Sequence, residues 1–258
     1  MSSSPTWFRK GIDPGTIITL DQPLPSQWQI MKKLNEYNFQ LDDADLRLGL
    51  WLSLASTKLL CCDPIDNTKQ AFMRLYLQVP FRGTDIAVAN TRASQAITLI
   101  PQELMAYQEL TKKESSNTPK LLGYQISTQD KSGPVPGGFA VWVVWELVPG
   151  LRLGSKIGPD AFWALDGPKR EEIRLSFVKA LKELKGIGYL PDTSALSSLV
   201  WHQESRTLYF IGFRDRNIGQ FDSLVVDAKW VARYGLAKPN SDAWRKEGWN
   251  EDRSGWEW

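Results

Sequence analysis

The side chains able to do chemistry are few, and their spacing excludes most of it. His202 is the only histidine, and Cys61 and Cys62 are the only cysteines. A zinc or iron site built from imidazole and thiolate therefore has almost no material. A Ser-His-Asp triad needs His202, which follows Trp201 at a strand end, and the chain holds no G-x-S-x-G elbow. His202 reads instead as an exposed residue at the edge of a turn. What remains is a set of hydrogen-bond donors and aromatic surfaces, the indole N–H groups of twelve tryptophans among them. Such donors can polarise a carbonyl, and aromatic walls can fold an apolar substrate into a reactive shape. A cofactor-free cyclisation or cycloaddition asks for no more than that.

Elements must hold these groups in place. Residues 1–27 are rich in Ser, Pro and Asp and read as an irregular arm. The apolar-rich stretch Leu46 to Cys62 leads into the turn residues Asp63-Pro64-Ile65-Asp66-Asn67, and Gln70 to Val79 then alternates as a strand does. A hairpin in a small antiparallel sheet follows from that order. Helix is expected over residues 91–113, with Pro101 opening it afresh or kinking it and Leu104, Tyr107 and Leu110 on one face. Pro119 to Ser127 and Gly138 to Val148 read as further strands, and F-A-V-W-V-V-W-E-L-V is apolar on both faces, as a central strand should be.

After the break at Pro149-Gly150, a helix is expected from Lys169 to Lys185. Pro168 suits its first turn, Glu171 and Glu172 its start, Lys182 and Lys185 its end, and Gly186 its close. Its buried stripe is Ile173, Phe177, Leu181 and Leu184. The polar stretch from Ala237 carries Trp244, Trp249, Trp256 and Trp258, which either clamp it to the body or leave a sticky end.

In order, the blocks A-F-M-R-L-Y, T-R-A-S-Q-A, E-L-M-A-Y-Q-E-L, P-K-L-L-G-Y and V-V-W-E-L-V-P-G-L-R-L-G precede the segment Val178 to Arg216. That series resembles the kinase-like, aminoglycoside-phosphotransferase-like proteins common in filamentous fungi, over roughly Gln70 to Phe213. The resemblance implies an α+β, protein-kinase-like two-lobed fold. It would have an N-lobe at 28–148, with an antiparallel sheet and a bridging helix, and a reduced, mainly helical C-lobe at 149–236. The Trp-rich tail occupies 237–258.

The resemblance also implies where the chemistry should lie. Arg74 stands in the place of the phosphate-pairing Lys, and Glu103 in that of the helix Glu which holds it. Thr193, Ser198 and Gly212 occupy the slots of the catalytic Asp, the metal-binding Asn and the metal-binding Asp, with Phe213 following. Asp192 lies one position before the catalytic slot, and Asp215 lies beyond Phe213. The phosphate-covering loop, expected near Leu46 to Leu60, holds only Gly49. Phosphoryl transfer needs phosphate donors, metal-bound charge neutralisation and a carboxylate to orient the nucleophile. The implied protein is therefore a pseudokinase-type member, without cofactor or metal.

The candidate catalytic residues are accordingly Arg74, Tyr189 and Asp192. The candidate substrate-binding residues are Glu103, Trp142, Trp145, Trp201 and Phe213. Plainer readings stand beside these: an ordinary Arg74–Glu103 ion pair, a loop aspartate at Asp192 bonding its own backbone, and tryptophans that fill cores. The expected ligand is an apolar small molecule, in a setting of fungal secondary metabolism. The other reading is a non-catalytic scaffold that meets a protein partner through its Trp-rich tail.

Composition limits the rest. The chain has 258 residues, 42% apolar and 23% charged, with a formal charge of +2. Those values suit a globular protein and give no reason to expect nucleic acid or an anionic membrane. The longest apolar run, Phe139 to Trp145, is too short for a bilayer span. Adjacent cysteines exclude a disulfide framework, and M-S-S-S-P-T-W-F-R-K lacks the apolar core of a secretory signal. A reduced, cytoplasmic setting is the expectation.

Overall fold

The computed structural model describes residues 6–155, 157–191, 194–214, 217, 218 and 227–258. The chain forms two compact units, Met1–Leu104 with Leu121–Leu147, and Met105–Lys120 with Val148–Trp258. No helix among the described residues is long and apolar enough to cross a membrane.

The first unit is built on a six-stranded antiparallel sheet. Its strands are β1 (Ile17–Leu20), β2 (Ser26–Phe39), β3 (Leu54–Cys62), β4 (Gln70–Gln78), β5 (Leu121–Thr128) and β6 (Phe139–Glu146), ordered β1-β2-β3-β4-β6-β5. The expected hairpin is β3–β4, and β6 lies between β4 and β5, which explains its apolar residues on both faces. Alternation in β4 sends Ala71, Met73, Leu75 and Leu77 into one core. Phe8 and Ile12 join that core.

The arm expected to be irregular thus contains β1 and buried anchors. Two register shifts, at Met31 and Leu34, interrupt the period-two pattern of β2. The β2–β3 connection holds a short helix, α1 (Asp43–Arg47), capped by Asp42. The helix expected over residues 91–113 is two helices, α2 (Ala89–Ala93) and α3 (Gln102–Lys112). Pro101 immediately precedes α3, so it opens that helix rather than kinking a longer one.

The second unit centres on α4 (Gly167–Ile187). The Asp166 carboxylate accepts from the Lys169 amide at 2.8 Å, and Pro168 occupies the first turn. Ile173, Phe177, Leu181 and Leu184 form the expected buried stripe, with Arg174 and Ala180 beside them. Gly188 ends the helix in a left-handed conformation, φ +86°, so the terminating glycine is two residues later than expected. A three-stranded sheet, β7 (Leu151–Arg152), β9 (Leu199–His202) and β10 (Thr207–Phe210), has the order β10-β9-β7. The short strands β8 (Tyr189–Leu190) and β11 (Asn217–Ile218) pair separately. Helix α5 (Ala228–Arg233) precedes the tail.

The tail is packed within this unit. The Trp249 and Trp256 rings stack at 5.4 Å and those of Trp256 and Trp258 at 5.6 Å, while Lys238 and Glu257 exchange backbone hydrogen bonds. Trp258 lies 5.5 Å from Arg174 of α4, and Trp249 lies 5.7 Å from Lys229 of α5.

Candidate functional site

Strand pairing assembles a polar-aromatic cluster on the face of the first sheet opposite the Met73 core. Residues directly across a ladder share a face, so Lys58 of β3 lies beside Arg74 of β4, and Phe72 of β4 beside Trp145 of β6. Lys58 Nζ sits 3.5 Å from the Phe72 ring centre and 5.6 Å from that of Trp145, and Arg74 Cζ lies 5.3 Å from Trp145. These are cation–π distances.

Arg74 Nη1 donates to both Glu103 carboxylate oxygens, at 2.8 and 2.7 Å. The Tyr76 hydroxyl donates to Glu103 Oε2 at 2.8 Å and accepts from Arg74 Nη1 at 3.2 Å. The Glu103 side chain is 2% exposed and that of Arg74 12%. Burial first, and then the Glu103 charge, push the Tyr76 hydroxyl above its ordinary pKa, so it remains a proton donor. The expected Arg74–Glu103 pair is therefore present, buried and completed by a tyrosine. Tyr76 lies two residues from Arg74 on the same strand, so alternation alone could have located it. Lys58 depends on strand register, which local sequence does not carry.

The other candidates are distributed differently. Trp142 and Trp145 lie on opposite faces of β6, because their separation in sequence is odd. Trp142 packs against the Met73 core and Trp145 stands with Arg74. The two candidates therefore do not line one surface. In the second unit Trp201 is 3% exposed, and its indole N–H donates to Gln203 at 3.0 Å. Phe213 is fully buried, edge-on to Tyr107 at 5.7 Å. Tyr189 is half-buried in β8. His202 lies at the β9–β10 turn, with Nδ1 2.7 Å from the Ser205 hydroxyl. Asp192, Thr193 and Asp215 lie outside the described residues.

The two slots assigned to metal ligands do come together. The Ile211 amide donates to the Ser198 carbonyl at 2.8 Å, and a Cβ placed on Gly212 would lie 4.0 Å from Ser198 Oγ. One slot offers a hydroxyl and the other no side chain. Magnesium is held through carboxylates and substrate phosphates, so Ser198 and Gly212 do not fit a magnesium nucleotide. Among the described residues there is no group of three or more His, Cys, Asp or Glu side chains able to hold a metal ion.

No model of a known protein family matches the chain, and no curated protein matches it. Among solved structures it is similar to the Cydia pomonella Granulovirus kinase, PK-1, at 13% identity and a TM-score of 0.40, over 74% of this chain and 52% of that one. The chain thus spans about half the length of that kinase.

Proposed function

We propose that this is a kinase-like protein of the pseudokinase type, whose body no longer transfers phosphate from ATP and binds an apolar small molecule instead. The observation that carries the reading is the juxtaposition of Ser198 and Gly212, the residues that the resemblance sets in the amide and carboxylate slots for metal, neither of which carries such a group.

The ligand surface proposed is the Lys58–Phe72–Trp145 cluster, where aromatic faces suit an apolar skeleton and an ammonium group suits a carbonyl or other electron-rich atom. Where the protein catalyses a reaction, it is a cofactor-independent cyclisation or cycloaddition, of the kind used in fungal secondary metabolism. The folded substrate and a polarised carbonyl supply the rate enhancement. Arg74 takes a structural part, since its Nη1 already serves Glu103 and Tyr76.

Titration of intrinsic tryptophan fluorescence with neutral, terpenoid-sized ketones tests this. A saturable change in the native chain that is lost in Phe72→Ala and Lys58→Met supports the surface. Binding that both variants retain sinks it.

A second reading, a scaffold acting through protein contacts, rests on one observation. Tyr37, Phe39, Leu48, Leu50 and Trp51, on β2 and the connection after it, are 46, 45, 79, 47 and 63% exposed. Exposed apolar side chains mark interaction sites where they form one patch. The tail contributes less to such a reading, because its Trp256 is buried in the stack.

A further inference from the structure

Helix α4 carries two arginines one turn apart whose charge is not fully matched. Arg174 is 6% exposed at its side chain. Its Nε donates to the Leu236 carbonyl at 2.8 Å and its Nη1 to Glu171 at 2.9 Å, while Nη2 is buried without a partner among the described residues. Arg170, 19% exposed, likewise has a buried Nε with no partner there, and its Nη1 reaches Glu257 only at 4.0 Å. Residues four apart on a helix are surface neighbours. Their contacts agree: Arg170 meets Glu257, and Arg174 lies 5.5 Å from the ring of the next residue, Trp258. A third cation closes the group. Lys238 Nζ is 3.1 Å from Glu257 and 3.9 Å from the Trp163 ring centre, and Arg170 lies 5.0 Å from the same ring.

Among the described residues, three cations, Arg170, Arg174 and Lys238, thus face two carboxylate side chains, Glu171 and Glu257, and two guanidinium nitrogens, Arg170 Nε and Arg174 Nη2, are left unused. Leaving a buried donor unpaired is costly, more so when it is charged. Water could accept these hydrogen bonds but cannot cancel the charge. An oxyanion does both, and it matches the planar fork of a guanidinium.

We propose that Arg170, Arg174 and Lys238 form a binding site for a small oxyanion, the phosphate or carboxylate group of a ligand, roofed by Glu257 and Trp258. Glu257 competes with that anion for Arg170 and Lys238, so the tail tunes the affinity of the site. The site lies within the second unit and is independent of the Lys58–Phe72–Trp145 surface.

The test is thermal unfolding of the intact chain with increasing sodium phosphate, and separately sodium acetate, at ionic strength held constant with chloride. Phosphate also stabilises proteins non-specifically by exclusion from their surfaces. The diagnostic result is therefore a saturable rise in Tm, weakened about tenfold or more in apparent affinity by Arg170→Met, the loss of a charge-assisted hydrogen bond. Glu257→Gln should tighten binding, because it removes the competing carboxylate. A response to phosphate alone assigns a phosphate ligand, and a response to acetate as well assigns a carboxylate-tolerant site. Arg170 is the less buried of the two arginines, and far-ultraviolet circular dichroism establishes that its variant is folded. A native chain that shows no saturable rise with either anion, or an Arg170→Met variant with unchanged affinity, overturns the proposal.

Discussion

Replacing Glu103 by Gln gives the most informative perturbation of the first unit. The change keeps the shape of the side chain and removes a charge that accepts from Arg74 and Tyr76 within 2.8 Å. Deleting one partner of a buried ion pair costs about 3–5 kcal/mol, and a buried hydroxyl deprived of its acceptor costs about 1–3 kcal/mol. The Gln carbonyl can still accept one of these bonds, and Arg74 is slightly exposed, so a loss of about 3 kcal/mol is expected for Glu103→Gln. The double variant Arg74→Met/Glu103→Met should recover part of this, since apolar replacements of a buried pair are often near neutral while the Tyr76 hydroxyl loses its acceptor. Urea unfolding, followed by tryptophan fluorescence and circular dichroism together, measures all corners of the cycle. A Glu103→Gln loss below about 1 kcal/mol, or a double variant no better than the single one, would refute the account of a buried, mutually dependent pair.

Other outcomes follow from the same structure. Burial, and then the neighbouring Cys62, raise the Cys61 thiol from 9.0 to about 12. The unfolded chain therefore loses this proton first, so the stability it contributes is intact below pH 9.0 and lost as pH rises towards about 12. Cys61→Ala should flatten that alkaline slope by about 1.4 kcal/mol per pH unit in urea titrations. Gly150 has φ +122°, and a Cβ there would lie 2.3 Å from the Trp201 carbonyl oxygen. Gly150→Ala should accordingly destabilise the second unit by about 1–3 kcal/mol or more, read as a lower urea midpoint. Trp256→Ala removes the central ring of the tail stack, and limited proteolysis should then cleave within residues 238–258 far faster than in the native chain.

Much of the framework was legible because local rules and tertiary packing agree there. The alternation of Gln70–Gln78, the apolar run of β6 and the proline and stripe of α4 each predict the element observed. Agreement failed where packing overrides pattern. Strand β2 has bulges at Met31 and Leu34 and many exposed residues, so it shows no clean alternation. The arm before β1 is polar in sequence, yet Phe8 and Ile12 suffice to anchor it. Site legibility divides along the same line. Arg74–Glu103 was readable from the resemblance, and Tyr76 from spacing alone. Lys58 joins the cluster only through the β3–β4 register, a long-range property. That Trp142 and Trp145 face opposite ways follows from the two-residue period of the strand that carries them.

The central proposal is that a phosphotransferase-like body remains here in which Ser198 and Gly212 do not hold a magnesium nucleotide. Calorimetric titration of the native chain with Mg-ATP tests it most directly. The account predicts no saturable heat and no matching rise in Tm. Saturable binding that requires magnesium and vanishes on chelation would contradict it.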